Sequence, residues 1–369
     1  LRKRINIVFR STLVLFTFMW YNQLVNAQAL TKISTSSAYE RYAEEGLYAM
    51  YNWQFEKAED IANYFKKYHP SHPTGFFLEA MSIYWENYPF EEDSEKYNKH
   101  MELLEKANEL AEEILEEDED NEDAILFQLM SKAVMMRNYD RFGRSMKAVG
   151  AAKDMYKLVQ QCIELKDRYI EFYFPSGIYN YYREYYPDQH PVYKPFMIFF
   201  KPGDKELGLQ ELEIAAKKAV FTNPESLEYL ADIYFHNENK KQRGLELYRQ
   251  LHQKFPGNKL YLLEFLAVLN KAEKYNEMDA LLQSNNWKNL NNFYKAGFET
   301  YRGIVLQRKD PDSTKAKQAF ENALYYNKDV NSDGNRFYFY IYDGLAKYWK
   351  SMGNNEYDEK YSKLAKKYN

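Results

Sequence analysis

Asp329-Val330-Asn331-Ser332-Asp333-Gly334 has the spacing of the first half of a calcium loop. In such a loop the side chains at the first, third and fifth places converge on the cation, and a glycine at the sixth allows the sharp turn. The twelfth place is Tyr340 rather than a bidentate Glu. The sequence therefore predicts at most weak Ca2+ binding by Asp329, Asn331 and Asp333, against an ordinary Asx-rich turn. His69 and His72 stand close in YHPSHP, but prolines surround them and no third ligand is near. They read as a helix-terminating loop rather than a metal site. The acidic run Glu116–Asp123 reads as a solvated turn between helices. No G-x-S-x-G, H-E-x-x-H, C-x-x-C or phosphate-binding glycine loop occurs. The residues give no enzyme and call for no cofactor beyond that weak Ca2+ candidate.

Composition narrows the class further. The chain of 369 residues carries a formal charge of −4, with 50 basic and 54 acidic side chains. A mildly acidic, mixed-charge chain does not look like a nucleic-acid binder. Arg2, Lys3, Arg4 and Arg10 precede a short apolar core from about Thr12 to Tyr21, and small residues follow at Val25, Ala27 and Ala29. This is the layout of a secretory signal peptide spanning residues 1–27, with cleavage after Ala27 or Ala29. The apolar core is well short of the ~20 residues that a membrane span needs, so no integral span is expected after cleavage. Export with a single thiol, Cys162, means no internal disulfide. Cys162 lies in the helical apolar pattern YKLVQQCIEL and reads as buried and inert. The expected location is periplasmic or envelope-associated.

Behind this leader, residues 28–369 read as helical hairpins. Ala38–Asn52 with Glu56–Tyr68 is the clearest pair. Gly46, Ala58 and Pro70 fall at the spacing of a tetratricopeptide repeat, where small residues let the paired helices approach and the proline ends the second. Similar pairs follow over 74–117, 123–166, 224–254, 259–283, 293–326 and 336–368, with another in the stretch Phe174–Pro224, and no stretch carries convincing strand alternation. FYFYIY at 337–342 reads as helix from its context. The fold class is all-α: a right-handed, tetratricopeptide-like solenoid of hairpins, continuous and without a linker. A Pro-rich apolar insertion at 187–203 is the natural place for a bend.

That insertion lies in the most distinctive stretch. The aromatic helix GIYNYYREYYP is followed by Pro187, Pro191, Pro195 and Pro202, which should break the chain, with VYKPFMIFF between them. So apolar a segment is expected to pack on its own array or to meet a partner, packing being favoured. Asp204 is a good N-cap for the helix that restarts there. Asn180, if buried, is expected to bond a neighbouring backbone group. Gly177-Ile178-Tyr179-Asn180-Tyr181, the apolar segment and Gly203-Asp204-Lys205-Glu206-Leu207-Gly208-Leu209 together resemble a group of bacterial tetratricopeptide proteins. The same pattern is similar to the eukaryotic tetratricopeptide-repeat-39 and inclusion-clearance family. The resemblance covers roughly Asp123–Pro256. It implies an all-helical fold; because the eukaryotic proteins act in the cytosol, inclusion clearance is not carried over.

Resemblance to tetratricopeptide repeats also implies that the first helix of each pair lines a concave face. With Gly46, Gly177, Ala231 and Gly303 as equivalent positions, the inward places five residues later are Tyr51, Tyr182, His236 and Arg308, and Asp232 faces the same way. These five are the candidate binding residues. Repeat arrays build long recognition surfaces and seldom carry chemistry. The first functional expectation is thus an exported scaffold that binds a protein or peptide. The alternative is a carbohydrate- or small-ligand-binding protein, for which Trp53, Trp85, Trp287 and Trp349 offer stacking surfaces.

Overall fold

The computed structural model describes residues 37–189 and 191–368; the export segment 1–27 lies outside the described residues. Sixteen α-helices and no strand occur among the described residues. The chain divides into two compact units, one comprising residues up to Glu86 and Glu92–Asn223, the other Asn87–Glu91 and Pro224–Asn369. The division falls beyond the 187–203 insertion, which lies wholly inside unit 1.

Unit 1 contains α1 (Ser37–Tyr51), α2 (Phe55–Tyr68), α3 (Thr74–Asn87, its last residue counting with unit 2), α4 (Glu95–Glu117), α5 (Glu122–Arg141), α6 (Ser145–Leu165), α7 (Tyr173–Gln189) and α8 (Lys205–Lys218). Short polar residues start several of these helices. Ser94, Asn121 and Asp204 each accept a backbone N–H from the first turn, as N-caps do. Ala58, Ile61, Ala62 and Phe65 form one fully buried stripe on α2, at the spacing that puts residues on one helix face. Gly46 of α1 sits against Ile61 and against Leu78 of α3, so the small residue lies where helices meet.

The α7–α8 contact is closer still. A Cβ added at Gly208 would lie 2.5 Å from the Tyr181 backbone nitrogen and 2.8 Å from the Gly177 carbonyl oxygen. One at Gly177 would lie 2.8 Å from Leu212 Cγ and 3.0 Å from the Gly208 carbonyl oxygen. Backbone meets backbone here because neither helix carries a side chain at the crossing. This closeness brings a buried carboxylate into play. Glu211, 1% exposed, accepts from Ser176 Oγ and Asn180 Nδ2 at 2.8 Å each and pairs with Lys166, the residue that follows α6. The bond expected from Asn180 to a backbone group goes instead to this side chain. A fixed carboxylate with two lone-pair directions to fill is the better acceptor.

Two other expectations for this stretch are corrected. Pro187 does not break α7, which runs to Gln189. It stands in the last turn, where little helix remains to be disrupted and its φ suits the conformation. The segment Pro191–Phe199 is a 3-10 helix and does not bury its apolar tip: Ile198 is 80% and Phe199 73% exposed. Polar groups hold its backbone in place of a core. Arg183 donates to the carbonyls of Met197 at 2.9 Å and Phe200 at 3.4 Å, and Tyr179 donates to that of Lys201.

Unit 2 contains α9 (Asn223–Asp232, its first residue counting with unit 1), extended by a π-turn over Ile233–Asn237, then α10 (Lys241–Lys254), α11 (Lys259–Lys271), α12 (Tyr275–Ser284), α13 (Asn292–Lys309), α14 (Thr314–Asn327), α15 (Asn335–Ser351) and α16 (Asn355–Lys367). FYFYIY lies in α15, as its context predicted. The Phe320 ring of α14 fills the space left by Gly303 of α13 and Gly344 of α15, where a Cβ would lie 2.7 and 2.3 Å from it. The segment Asn87–Glu91 is bonded into this unit. Asn291 Nδ2 donates to the Tyr88 carbonyl and Asn331 Nδ2 to the Phe90 carbonyl, both at 2.8 Å.

Candidate functional site

The calcium-like loop serves that last contact. Asn331 Oδ1 accepts the Asp333 backbone N–H at 3.1 Å, which makes an Asx turn, while its amide holds Phe90. Asp333 Oδ1 accepts the Tyr88 hydroxyl at 3.1 Å, and Asp329 points to solvent from the end of α14. Among the described residues no group of three His, Cys, Asp or Glu is placed to hold a metal ion. His69 and His72 end α2 as structural groups. His72 is buried, and its Nδ1 lies 2.9 Å from Thr74 Oγ1 at the start of α3. Cys162 is buried and unpaired, and burial raises its thiol pKa.

The candidate binding residues divide by unit. In unit 1, Tyr51 is buried edge-on against Trp85, with ring centroids 5.4 Å apart. Tyr182 is half-buried, edge-on to Tyr181. In unit 2, Asp232 and His236 lie one turn apart, with Oδ1 and Nε2 separated by 3.7 Å. Burial raises the Asp232 pKa, partly offset by His236; it lowers that of His236, with Lys271 adding to the effect. Desolvation thus works against this pair becoming fully ionised.

Arg308 is exposed. Its guanidinium lies over the Tyr275 ring, 4.7 Å from the centroid. It borders a cavity of about 600 Å3 whose walls come from first helices of successive pairs. Asn270 comes from α11, Gln307 and Arg308 from α13, and Phe339, Tyr340, Asp343 and Lys347 from α15, with Tyr275 at the start of α12. The neighbours are engaged: Lys347 pairs with Asp343 at 2.6 Å, and Gln307 Nε2 donates to the Gly344 carbonyl at 2.8 Å. Arg308 makes no ion pair among the described residues, so its cation has only an aromatic face to rest on. One turn before Tyr340, Arg336 grips Glu264 of α11 through two bonds of 2.5 and 2.6 Å. That pair fixes α15 against α11.

Counting from glycines located Arg308 but missed α15. Gly344 is the corresponding small residue of the last pair, but the same rule gives Trp349 there, which is stacked on Tyr357, and not the cavity residues Tyr340 and Lys347. Of the tryptophans offered as stacking surfaces, Trp85 is buried, Trp287 is stacked on Phe298 and Trp349 on Tyr357. Tyr275, Phe339 and Tyr340 of the cavity are half-buried, and the exposed rings of Tyr229, Tyr325 and Tyr357 lie elsewhere on unit 2.

No family model and no curated protein matches the chain. Among solved structures the chain is similar to the C-terminal part of a TPR repeat-containing protein from Cytophaga hutchinsonii, at 14% identity over 88% of this chain and 93% of that one, with a TM-score of 0.27.

Proposed function

We propose that the protein is an exported helical-repeat scaffold that binds a protein or peptide partner through the first-helix face of unit 2. The observation that carries this reading is the cavity beside Arg308. It gathers an unpaired guanidinium, side-chain amides and half-buried tyrosine and phenylalanine rings from four helices. Arginine and tyrosine are the residue types that most often dominate recognition energy. The lining holds no serine, cysteine or histidine, so it offers none of the usual nucleophile–base pairs. The basic, short-cored N-terminal segment supports export.

A small ligand such as a carbohydrate is the second reading. The cavity volume favours it, because about 300–1,000 Å3 is the usual size of a small-molecule site.

Affinity capture from an envelope extract with the parent and with Arg308→Glu tests the proposal. The variant should hold the captured partner at least about tenfold more weakly, a loss of about 1.4 kcal/mol. Its thermal stability should stay within about 1 kcal/mol of the parent, since only an exposed cation–ring contact is lost. Equal capture by both proteins would remove the face from the account. A glycan array that responds to the parent but not to Arg308→Glu, with no protein captured, would select the second reading.

A further inference from the structure

We propose that the proline-bounded tip of unit 1 rests on a lipid bilayer, with Ile198, Phe199 and Phe200 entering the boundary between headgroups and acyl chains. These three consecutive residues are 80, 73 and 38% exposed. A soluble surface seldom displays a run of this kind without a use.

The tip is held out by design of its surroundings. Arg183 binds the carbonyls of Met197 and Phe200, and the Lys201 backbone N–H donates to the Tyr156 hydroxyl at 3.0 Å. The Gly203 N–H donates to Glu184 Oε1 at 3.2 Å, and the Phe200 ring stands edge-on to Tyr156, 5.0 Å between centroids. The backbone on the C-terminal side of the tip is therefore bonded to α6 and α7, and Phe200 rests partly on Tyr156, while Ile198 and Phe199 stay exposed.

Size and charge select the occupant. At these exposures the three side chains offer roughly 400 Å2, taking about 150–250 Å2 for a large side chain. A stable protein–protein interface needs about 800 Å2 from each partner. A bilayer makes no such demand, since a short apolar element can be immersed on all sides. Lys194 and Lys201 bracket the tip with side chains 56 and 63% exposed. Their stems can lie along the apolar boundary while the ammonium groups reach lipid phosphates. Their present pairs, with Asp188 at 3.0 Å and Glu164 at 3.4 Å, are surface pairs that exchange at little cost. Among the described residues no helix is long and apolar enough to cross a membrane, so the contact is peripheral. It is independent of the unit 2 face.

Sedimentation with vesicles of phosphatidylcholine containing a minority of phosphatidylglycerol tests the tip. The parent should sediment with the vesicles. Ile198→Ser/Phe199→Ser should melt with the parent and lose about tenfold or more of its partitioning. A parent that stays in the supernatant, or a double variant that still sediments, would overturn the proposal. So would a double variant that melts well below the parent, because the side chains would then be packed. A parent dimer that the variant loses, with no sedimentation of either, would assign the tip to a second copy of the chain and overturn it too.

Discussion

Acidification from pH 7.5 to 5 should destabilise unit 1 by about 4 kcal/mol through two histidines alone. His100 is fully buried between three helices; its Nδ1 lies 2.7 Å from the Ala80 carbonyl, and Asn138 Nδ2 lies 3.0 Å from its Nε2. The neutral ring with hydrogen on Nδ1 satisfies both contacts, whereas a second proton would point at an amide donor. Burial lowers its pKa from 6.5 to about 4. His72 is lowered by burial, and secondarily by His69, to about 3. The sign follows from which state binds protons. Both groups are neutral when folded, so their contribution is complete above pH 6.5 and is lost as the pH falls toward 4 and then 3, because the unfolded chain takes up protons first. At about 1.4 kcal/mol per pH unit, each costs about 2 kcal/mol by pH 5. Urea unfolding at the two pH values measures the total, and His100→Gln should remove about half of the pH dependence. Imidazole resonances of His72 and His100 that titrate near pH 6.5 in the folded protein would show the burial argument to be wrong.

Gly208→Leu should cost about 3 kcal/mol or more and weaken the attachment of α8 to α7. The atoms that a Cβ would meet belong to the backbone of Tyr181 and Gly177, so no rotamer change makes room. The helices must separate, and separation pulls Glu211 from Ser176 and Asn180. Those polar groups would then be buried without full partners, which adds to the steric cost. Thermal unfolding with hydrogen exchange over 173–218 checks this. A variant that melts with the parent and keeps its protection there would mean that the helices do not cross at these glycines.

The helices were legible in the sequence because their signals are local. Asp204, Asn258, Asn291, Ser313 and Asn354 cap helices at or next to the expected starts, and each needs only its own first turn to act. Gly46, Gly177 and Gly303 marked helix contacts because a missing side chain is visible in the sequence and its effect is steric. The buried carboxylates were not legible. Glu171 binds the backbone of Val220 and Thr222, and Glu211 binds Ser176 and Asn180. A glutamate with a partner dozens of residues away reads like one that faces solvent. The insertion failed for the opposite reason. Ile198 and Phe199 look like core by hydropathy, but the groups that fix the segment, Arg183 and Tyr179, act on its carbonyls and leave no mark in the apolar pattern. For the candidate face, repeat register led to Arg308. The cavity also needs α15, whose Tyr340 and Lys347 meet Arg308 only through the packing of α13 and α15 around Phe320.

Hydrogen exchange of the protein with and without its captured partner tests the binding face most directly. The account predicts added protection in peptides covering 301–309 and 339–347, from the helices that wall the cavity, and little change over 314–327 in α14 between them. Protection confined to α14, or to unit 1, would contradict it.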